Sequence, residues 1–471
     1  MKRTITALTA VLLALAVLSV ILLPAAVAFL FPPAYSATFV GALDEKVERL
    51  RSVEGKKAIV VGGSSVAFGL DSTLMEEHLG MPVVNFGLYA AIGTRAMLEL
   101  SLPSVGEGDL VILAPEINAE TLSLYFSGEN MWKAIDDAPS LFFRLAGDSQ
   151  KQMLGSLYSH ASQKLAALAS IPDPQGVYSS KSFDSNGDIA YPRPSNVMPL
   201  YYDPNTPIVL SPSIVSEDFI AYLNEYIGKC KEKGAEVYFT YSPMNEAAVA
   251  DGADAYALEG FLREKIACEH ISLIDSYLID KAYFYDTNFH LNDAGVILRT
   301  RQLLEDIRIA QGNFTAVDID IPEKPALPNL DFKFFGEDEN AGHFVYESLQ
   351  NGALSIVGLT ELGKQQSDLV IPLGASYTKV IALSPNALAG AKAKTLTVTA
   401  DTNLRTIASG AFDGCDLSEL HILYDFTDEA EKLSPPASFG GVKVFVPRGS
   451  TYLSHYDWSN YDLSVLPDAR R

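Results

Sequence analysis

Three polar residues, far apart in the chain, have the chemistry of a nucleophile, a general base and an orienting carboxylate. Ser65 lies in a Gly-Gly-Ser-Ser turn directly after the apolar run 59–61, and Asp286 and His290 share a polar turn. An imidazole can accept the proton of a serine hydroxyl, and a carboxylate can hold that imidazole in place. Alone, the Asp-x-x-x-His spacing is also typical of a solvated turn with a capping aspartate. Together with the serine turn it predicts acyl transfer through a serine nucleophile.

The elements around these residues must bring the two turns together. Short apolar runs predict strands over 58–61, 82–86, 110–114, 237–241 and 271–274. Apolar periodicity and capping residues predict helices over 72–79, 94–102, 216–233, 256–268 and 292–309. Strands that alternate with helices of this length need crossover connections, so the predicted fold class is α/β with a parallel sheet. Such sheets keep their chemistry at the carboxyl ends of the strands, where Ser65 falls.

Length, charge and cysteine content limit the function. At 471 residues the chain has room for two or three domains, and its formal net charge is −23. Excess acid argues against a nucleic-acid partner, because phosphate binding needs clustered Lys and Arg. There are three cysteines and no Cys-x-x-Cys, so we expect no zinc site. Neither a Walker A motif nor Gly-x-Gly-x-x-Gly follows a strand, and we expect no cofactor.

The N-terminus carries the clearest targeting signal. A Lys-Arg pair at positions 2 and 3 precedes the apolar run 5–31, which suits a bilayer span of about twenty residues. The basic flank predicts that the remainder of the chain is exported. We therefore expect a single-pass membrane anchor over 1–34 and a short stalk over 35–55. The alternative is a signal peptide cleaved at the small-x-small pattern 26–28, which would give a secreted protein.

The rest of the chain divides into segments that differ in composition and in their predicted elements. Within the first domain, residues 119–212 form an insertion rich in aromatic residues and serine, which either walls a substrate cleft or is a helical elaboration. An acidic, proline-bearing linker follows over 312–341. Over 342–471 short β runs replace the helices, and the segment 380–390 is repeated at 404–414, an offset of 24 residues. This period predicts a small repeat domain.

The domain over 56–311 resembles the SGNH hydrolases. Within them it is most similar to the membrane-anchored branch that includes the teichoic acid D-alanyl transfer protein and the alginate acetyltransferases. The first block of the family, Gly-Asp-Ser-x-x-x-Gly, matches residues 63–69, with Ser65 as the nucleophile and Ser64 in place of the aspartate. The resemblance implies a flavodoxin-like, three-layer parallel sheet. It also implies that the aspartate and histidine of the polar turn complete a triad. In the family these two residues read Asp-x-x-His, whereas in this sequence one more residue separates them.

The other blocks of the resemblance imply groups for an oxyanion. Ala90 takes the place of the oxyanion glycine in the second block, and Gly87 is the alternative backbone donor. After the third strand, Asn118 offers a side-chain amide, while Glu116 is at least as close to the strand end. Asn245 either lines the pocket or ends the fourth strand.

The repeated segment, above all Ala411-Phe-Asp-Gly-Cys415, resembles the leucine-rich repeats of bacterial surface proteins. Together the two resemblances imply an exported serine esterase or acyltransferase, anchored in the cell membrane, that acts on ester-linked acyl groups of cell-surface polysaccharide or wall polymer. The repeats would hold the enzyme near that polymer or near a partner protein. The rival interpretation is a weak or inert SGNH-like domain in an adhesion protein that works through its repeats.

Overall fold

The protein is described by a computed structural model that covers residues 22–198, 201–203, 206–327, 338–349, 353–372, 380–399 and 402–466. Two regions follow one another along these ranges. The first is a parallel sheet flanked by helices, and the second, C-terminal region is built from short strands. Each region has a hydrophobic core of its own. The α/β class with parallel strands, which the alternation of strands and helices predicts, is confirmed.

The first region contains seven strands among its described residues. In chain order they are β1 (Ala58–Gly62), β2 (Val83–Gly87), β3 (Leu110–Ala114), β4 (Glu236–Phe239), β5 (Met244–Asn245), β6 (Glu269–His270) and β7 (Leu278–Ile279). Five of them form one sheet in the order β2-β1-β3-β4-β6, and every pairing is parallel. The remaining two, β5 and β7, pair with each other. Strands β1, β2 and β3 are buried along their whole length, as expected of apolar runs covered on both faces.

Helices cover both faces of this sheet. They are α1 (22–30), α2 (Leu43–Ser52), α3 (Ser64–Ala67), α4 (Ser72–Leu79), α5 (Thr94–Ser101), α6 (Gly128–Ala134), α7 (Gly147–Ala169), α8 (Glu217–Glu232), α9 (Ala255–Lys265) and α10 (Asp293–Ala310). Alternate residues of β1 face opposite cores: Val60 packs with α4 and α10, whereas Val61 packs with α2, α5, α8 and α9. The region therefore has three layers.

Most predicted elements lie within three residues of their observed bounds, and β3 and α4 match them fully. The fifth predicted strand, over 271–274, is wrong, because the last sheet strand is β6 and a 3-10 turn already begins at Ile274. The guanidinium of Arg263 donates hydrogen bonds to the carbonyl oxygens of His270 and Ser272. These two carbonyl groups are therefore not available to extend the strand beyond β6.

The segment predicted as a stalk is packed against the sheet instead. Leu43, Val47 and Leu50 of α2 are buried in the main core. The i, i+4, i+7 spacing that predicts a helix here is therefore the apolar face of a core helix. The predicted anchor falls mainly on residues 1–21, which lie outside the described residues. Across the residues that the structure describes, no helix is long and apolar enough to cross a membrane.

The C-terminal region contains two small sheets joined by a shared core. Its described strands are β8 (Phe344–Ser348), β9 (Leu354–Leu359), β10 (Asp368–Val370), β11 (Val380–Leu383), β12 (Thr395–Val398), β13 (Thr406–Ile407), β14 (Glu419–Ile422), β15 (Lys443–Val446) and β16 (Leu463–Val465), with a helical turn α11 at Glu361–Lys364. One sheet has the order β10-β12-β14-β15-β16 and the other β13-β11-β9-β8. Apart from the β8–β9 hairpin, the pairings are parallel.

The strand register has the same 24-residue offset as the internal repeat of the sequence. Ala382 lies opposite Thr406 in one sheet, and Thr395 lies opposite Glu419 in the other. Glu419 in turn lies opposite Lys443. In each of these three pairs the two residues are 24 positions apart, which is the offset of the repeat in the sequence. The repeat is therefore a structural unit that stacks on its neighbour and buries a shared apolar core.

Candidate active site

Ser65 lies where β1 ends and the single helical turn α3 begins. Two glycines allow α3 to approach the strands closely. A Cβ on Gly62 would lie 2.5 Å from the carbonyl oxygen of Ala114, and a Cβ on Gly87 would lie 2.5 Å from Cβ of Val66. Any larger residue at either glycine would push the turn away from the sheet. The close packing thus places Ser65 at the carboxyl edge of the parallel strands.

Asp286 and His290 form a hydrogen-bonded pair in the turn before α10. The Nδ1 of His290 lies 2.9 Å from Oδ1 of Asp286, and each side chain is only 2% exposed. The turn is fixed by its own polar residues, since Thr287 Oγ1 accepts the N–H of His290 and Asn292 caps α10. A carboxylate on Nδ1 selects the tautomer that carries its proton there. Nε2 is then the basic nitrogen that a general base requires.

The charges around this pair keep the carboxylate ionised. Burial raises the pKa of Asp286, but the imidazole of His290 and the ammonium of Lys432 outweigh burial and lower that pKa to about 2. The hydroxyl of Tyr178 donates to the second oxygen, Oδ2, at 2.6 Å. Burial and the adjacent Asp286 carboxylate raise the pKa of Tyr178 well above its usual value, so this hydroxyl remains a proton donor at neutral pH.

Ser65 and His290 lie in one neighbourhood without being hydrogen-bonded. The imidazole stacks on Phe68, three residues after Ser65, with ring centroids 3.9 Å apart and planes 7° from parallel. Ser65 Oγ is buried and makes no hydrogen bond within the described part of the chain. The structure thus gathers the three predicted catalytic residues at one edge of the sheet. The Asp–His bond is formed and the Ser–His bond is not, as is common in sites without substrate.

A carboxylate occupies the backbone donor beside the serine. Oε1 of Glu116 accepts the backbone N–H of Ser65 at 2.9 Å and the hydroxyl of Ser64 at 3.0 Å. The Ser65 N–H is the group that would stabilise an oxyanion formed by attack of this serine. Glu116 is 4% exposed and lies just past the end of β3. An oxyanion can use this donor only when the carboxylate moves or is neutralised.

The two predicted backbone donors for an oxyanion, Ala90 and Gly87, differ in their position and in their hydrogen bonds. Ala90 lies against the serine turn, since a Cβ on Gly63 would come within 3.2 Å of the Ala90 Cβ. Gly87, by contrast, donates its N–H to the side chain of Asn85 at 3.1 Å. Ala90 is therefore the better placed of the two predicted backbone donors.

The two predicted amide side chains are used by the surrounding loops. Asn118 accepts the N–H of Thr121 through Oδ1, and its Nδ2 lies 3.5 Å from Oε2 of Glu116. Asn245 is fully buried, donates to the carbonyl of Tyr201 and accepts the N–H of the residue two positions on. Asn245 therefore stabilises the loop after β4 and does not contact Ser65 through its amide.

Three residues of the site have no predicted counterpart. Tyr178 comes from the insertion, and Tyr456 and Lys432 come from the C-terminal region. The hydroxyls of Tyr178 and Tyr456 lie 2.9 Å apart, and the ammonium of Lys432 lies 5.5 Å and 5.7 Å from the centroids of their two rings. The aromatic content of the insertion, which predicts either a cleft wall or a helical elaboration, is a sequence signal that bears on Tyr178 without singling it out. No spacing in the sequence distinguishes Tyr456 or Lys432.

The C-terminal region also covers the site. The ring of Tyr456 lies 6.2 Å from that of His290, and its carbonyl accepts the hydroxyl of Tyr89 at 3.0 Å. Ser459 contacts the same hydroxyl at 3.1 Å. Under this cover Ser65 is 1% exposed and His290 is 2% exposed. The site is thus enclosed by residues from three separate parts of the chain.

A cavity of about 710 Å³ lies next to this enclosure. Its walls include Leu70, Asp188, Arg193 and Asp293, and neither Ser65 nor His290 lines it. The Arg193 guanidinium lies 5.2 Å from the ring centroid of Phe68, the residue on which the catalytic imidazole stacks. The cavity is therefore adjacent to the catalytic cluster without opening onto it.

Comparison with known proteins adds no assignment. The sequence matches no protein-family model and no curated protein.

Proposed function

We propose that the first region is a serine-dependent ester hydrolase or acyltransferase of the SGNH type. The observation that carries the proposal is the buried hydrogen bond between Asp286 and His290, in the same cluster as Ser65 at the carboxyl edge of a parallel sheet. The order β2-β1-β3-β4-β6 supports it too, because it is the flavodoxin-like order that the SGNH resemblance implies.

In the proposed reaction Ser65 Oγ attacks the carbonyl carbon of an ester while Nε2 of His290 takes the hydroxyl proton. Asp286 stabilises the resulting imidazolium. The tetrahedral oxyanion is received by the N–H groups of Ser65 and Ala90 after Glu116 has withdrawn. Collapse expels the alcohol, which takes the proton from His290 and leaves an acyl group on the serine. Water or an acceptor alcohol then attacks the acyl-enzyme by the same route in reverse.

The substrate class and location follow from the same proposal. We infer an exported protein, anchored by its N-terminal apolar segment, that acts on acyl esters of cell-surface polysaccharide or wall polymer. The C-terminal region, as a leucine-rich-repeat domain, would bind that polymer or a partner protein. Its strands stack at intervals of 24 residues, an arrangement that is suited to binding an extended ligand.

The test compares two neighbouring serines in the full-length chain. We expect a fluorophosphonate probe to label the protein and an acetyl-ester chromogenic substrate to be hydrolysed. Ser65→Ala should abolish both signals, whereas Ser64→Ala should keep the labelling, because its hydroxyl is held by Glu116. Mass spectrometry of the labelled peptide identifies the modified serine. Labelling at neither serine, with no turnover by the folded protein, would contradict the proposal.

The second candidate function is an inert SGNH-like domain in a surface-binding protein. It is favoured by Glu116, which accepts the N–H of Ser65, and by the hydroxyl of that serine, which has no hydrogen-bond partner among the described residues. The same experiment decides between the two. Absent turnover together with binding of the full-length chain to wall polysaccharide supports the second candidate.

A further inference from the structure

Two segments of this acidic protein are almost free of charge. Residues 4–43 contain no Asp, Glu, Lys, Arg or His, although 20% of the whole chain is charged. Residues 152–172, which form most of α7 and the turn after it, contain Lys164 as their one Asp, Glu, Lys or Arg residue. Outside membranes and cores such segments are uncommon, because charged side chains normally cover a helix surface that faces water.

The structure packs the described parts of these segments together. Phe29 of α1 contacts Trp132 of α6 and Phe142, with ring centroids 5.5 Å and 6.0 Å apart. Lys164 of α7 points inward, lies 2.6 Å from Oδ1 of Asp136 and reaches the carbonyl of Phe31 at 3.3 Å. The ammonium of Lys164 is therefore buried and paired inside the protein, where it links the end of α1 to α7 and to the residues that follow α6.

What these two segments expose is uncharged and mostly apolar, although Gln152, Ser159 and Ser162 of α7 are exposed as well. Nine of the twenty exposed large hydrophobic side chains among the described residues fall in these two neighbouring segments and the turn between α6 and α7. They are Leu22, Leu23, Leu30, Phe31, Phe143, Leu154, Tyr158, Leu165 and Ile171. Tyr158 is 73% exposed, and it lies on the same side of α7 as Leu154 and Leu165, at the spacing of successive turns. We call this set the apolar face.

We propose that the apolar face lies on the surface of a lipid bilayer, with α7 parallel to the membrane plane. The occupant is identified by continuity: the apolar face begins at residue 22, where the uncharged run that starts after Arg3 enters the described structure. This inference rests on the N-terminal anchor of the proposed function. The ion pair between Lys164 and Asp136 holds the residues that follow position 22 against the domain, next to that anchor.

The composition of the face agrees with an interfacial position. Tyr158 has an amphipathic ring of the kind enriched at the boundary between headgroups and acyl chains. Phe143 adds apolar area of the kind that interfacial helices bury in the acyl region. Arg144, in the 3-10 turn before α7, and Lys151, near the N-terminus of α7, are exposed and can reach lipid phosphates. The face is separate from the catalytic cluster, because the hydrogen bonds of Asp286 and the ring contacts of His290 among the described residues involve none of its members.

The test measures where α7 sits in the full-length protein reconstituted into phosphatidylcholine–phosphatidylglycerol vesicles. In a Cys268→Ser, Cys415→Ser background, an environment-sensitive fluorophore is attached at Tyr158→Cys or Leu165→Cys; buried Cys230 remains unlabelled. We expect nitroxide lipids to quench both probes, and aqueous iodide to quench them several-fold less than a probe at the control Tyr256→Cys. Tyr256 is a 75%-exposed tyrosine on α9, outside the apolar face.

Each other result overturns the proposal. Iodide quenching equal to that at position 256 means that α7 faces water. Shielding from both quenchers means that protein covers the face, either a second copy or the preceding apolar segment. As a second variant, Leu154→Asp combined with the probe at position 165 should lose most of its lipid quenching, since a carboxylate is costly at this depth. Unchanged lipid quenching in this variant would count against contact through the apolar face.

Discussion

The acid–base half and the nucleophile half of the candidate site differ in how their polar groups are used. In the acid–base half, both oxygens of Asp286 are hydrogen-bonded, and the imidazole of His290 is oriented and stacked. In the nucleophile half, the hydroxyl of Ser65 makes no hydrogen bond to any residue that the structure describes, and the Ser65 N–H donates to Glu116. The first half is ready for proton transfer, whereas the second must rearrange before an oxyanion can form. Readiness for catalysis is thus a property of each half, not of the triad as a whole.

The largest expected effect is on the half that is ready. We expect His290→Ala to lower kcat by about 10⁴-fold or more, since loss of the general base leaves the serine without a proton acceptor. Ester turnover of the full-length chain checks this. His78→Ala, a partly exposed histidine on α4, is the matched control and should keep full activity. A His290→Ala variant with ordinary turnover would show that this half is structural.

The second largest effect is expected from the hydroxyl of Tyr178, which donates to Oδ2 of Asp286. We expect Tyr178→Phe to lower kcat by about 10- to 100-fold, as a hydrogen bond to a charged group contributes about 1.5–3 kcal/mol. The variant loses one of the interactions that lower the pKa of Asp286, yet the carboxylate stays ionised at neutral pH. The loss should therefore be the same from pH 6 to pH 9. A loss confined to the acid side would mean instead that Asp286 becomes protonated.

The nucleophile half should respond in the opposite direction. We expect Glu116→Gln to raise the rate of Ser65 acylation by about tenfold, because the amide keeps an acceptor oxygen but removes the negative charge that competes with the oxyanion. Stopped-flow measurement of fluorophosphonate labelling checks this. Glu120→Gln, an exposed neighbour in the same loop, is the control. A large decrease in a folded Glu116→Gln protein would mean that the carboxylate supports the serine rather than obstructing it.

The smallest expected effect concerns access. We expect Tyr456→Ala to accelerate labelling of Ser65 a few-fold, since its ring packs 4.4 Å from that of Tyr178 and covers the site. Leu453→Ala, in the preceding 3-10 turn and 40% exposed, should not change the rate. Labelling of Tyr456→Ala at the wild-type rate would place the substrate entrance elsewhere in the enclosure.

The sequence by itself determined the elements and the two polar turns. Apolar runs and capping residues locate β1, β3, α4 and α10 because they act through local backbone preferences. The sequence also determines the 24-residue repeat, whose period equals the number of positions between residues paired in neighbouring strands. The position of Ser65 at the sheet edge follows too, since parallel strands share one carboxyl edge.

The tertiary structure alone decided which groups meet across the chain. Tyr178, Lys432 and Tyr456 surround Asp286 and His290 because the insertion and the C-terminal region fold back over the sheet edge. Those contacts join residues more than a hundred positions apart, and no local propensity encodes them. The stalk prediction fails for the same reason: the spacing of α2 indicates an apolar face, but its partner is a sheet that forms only in the folded protein.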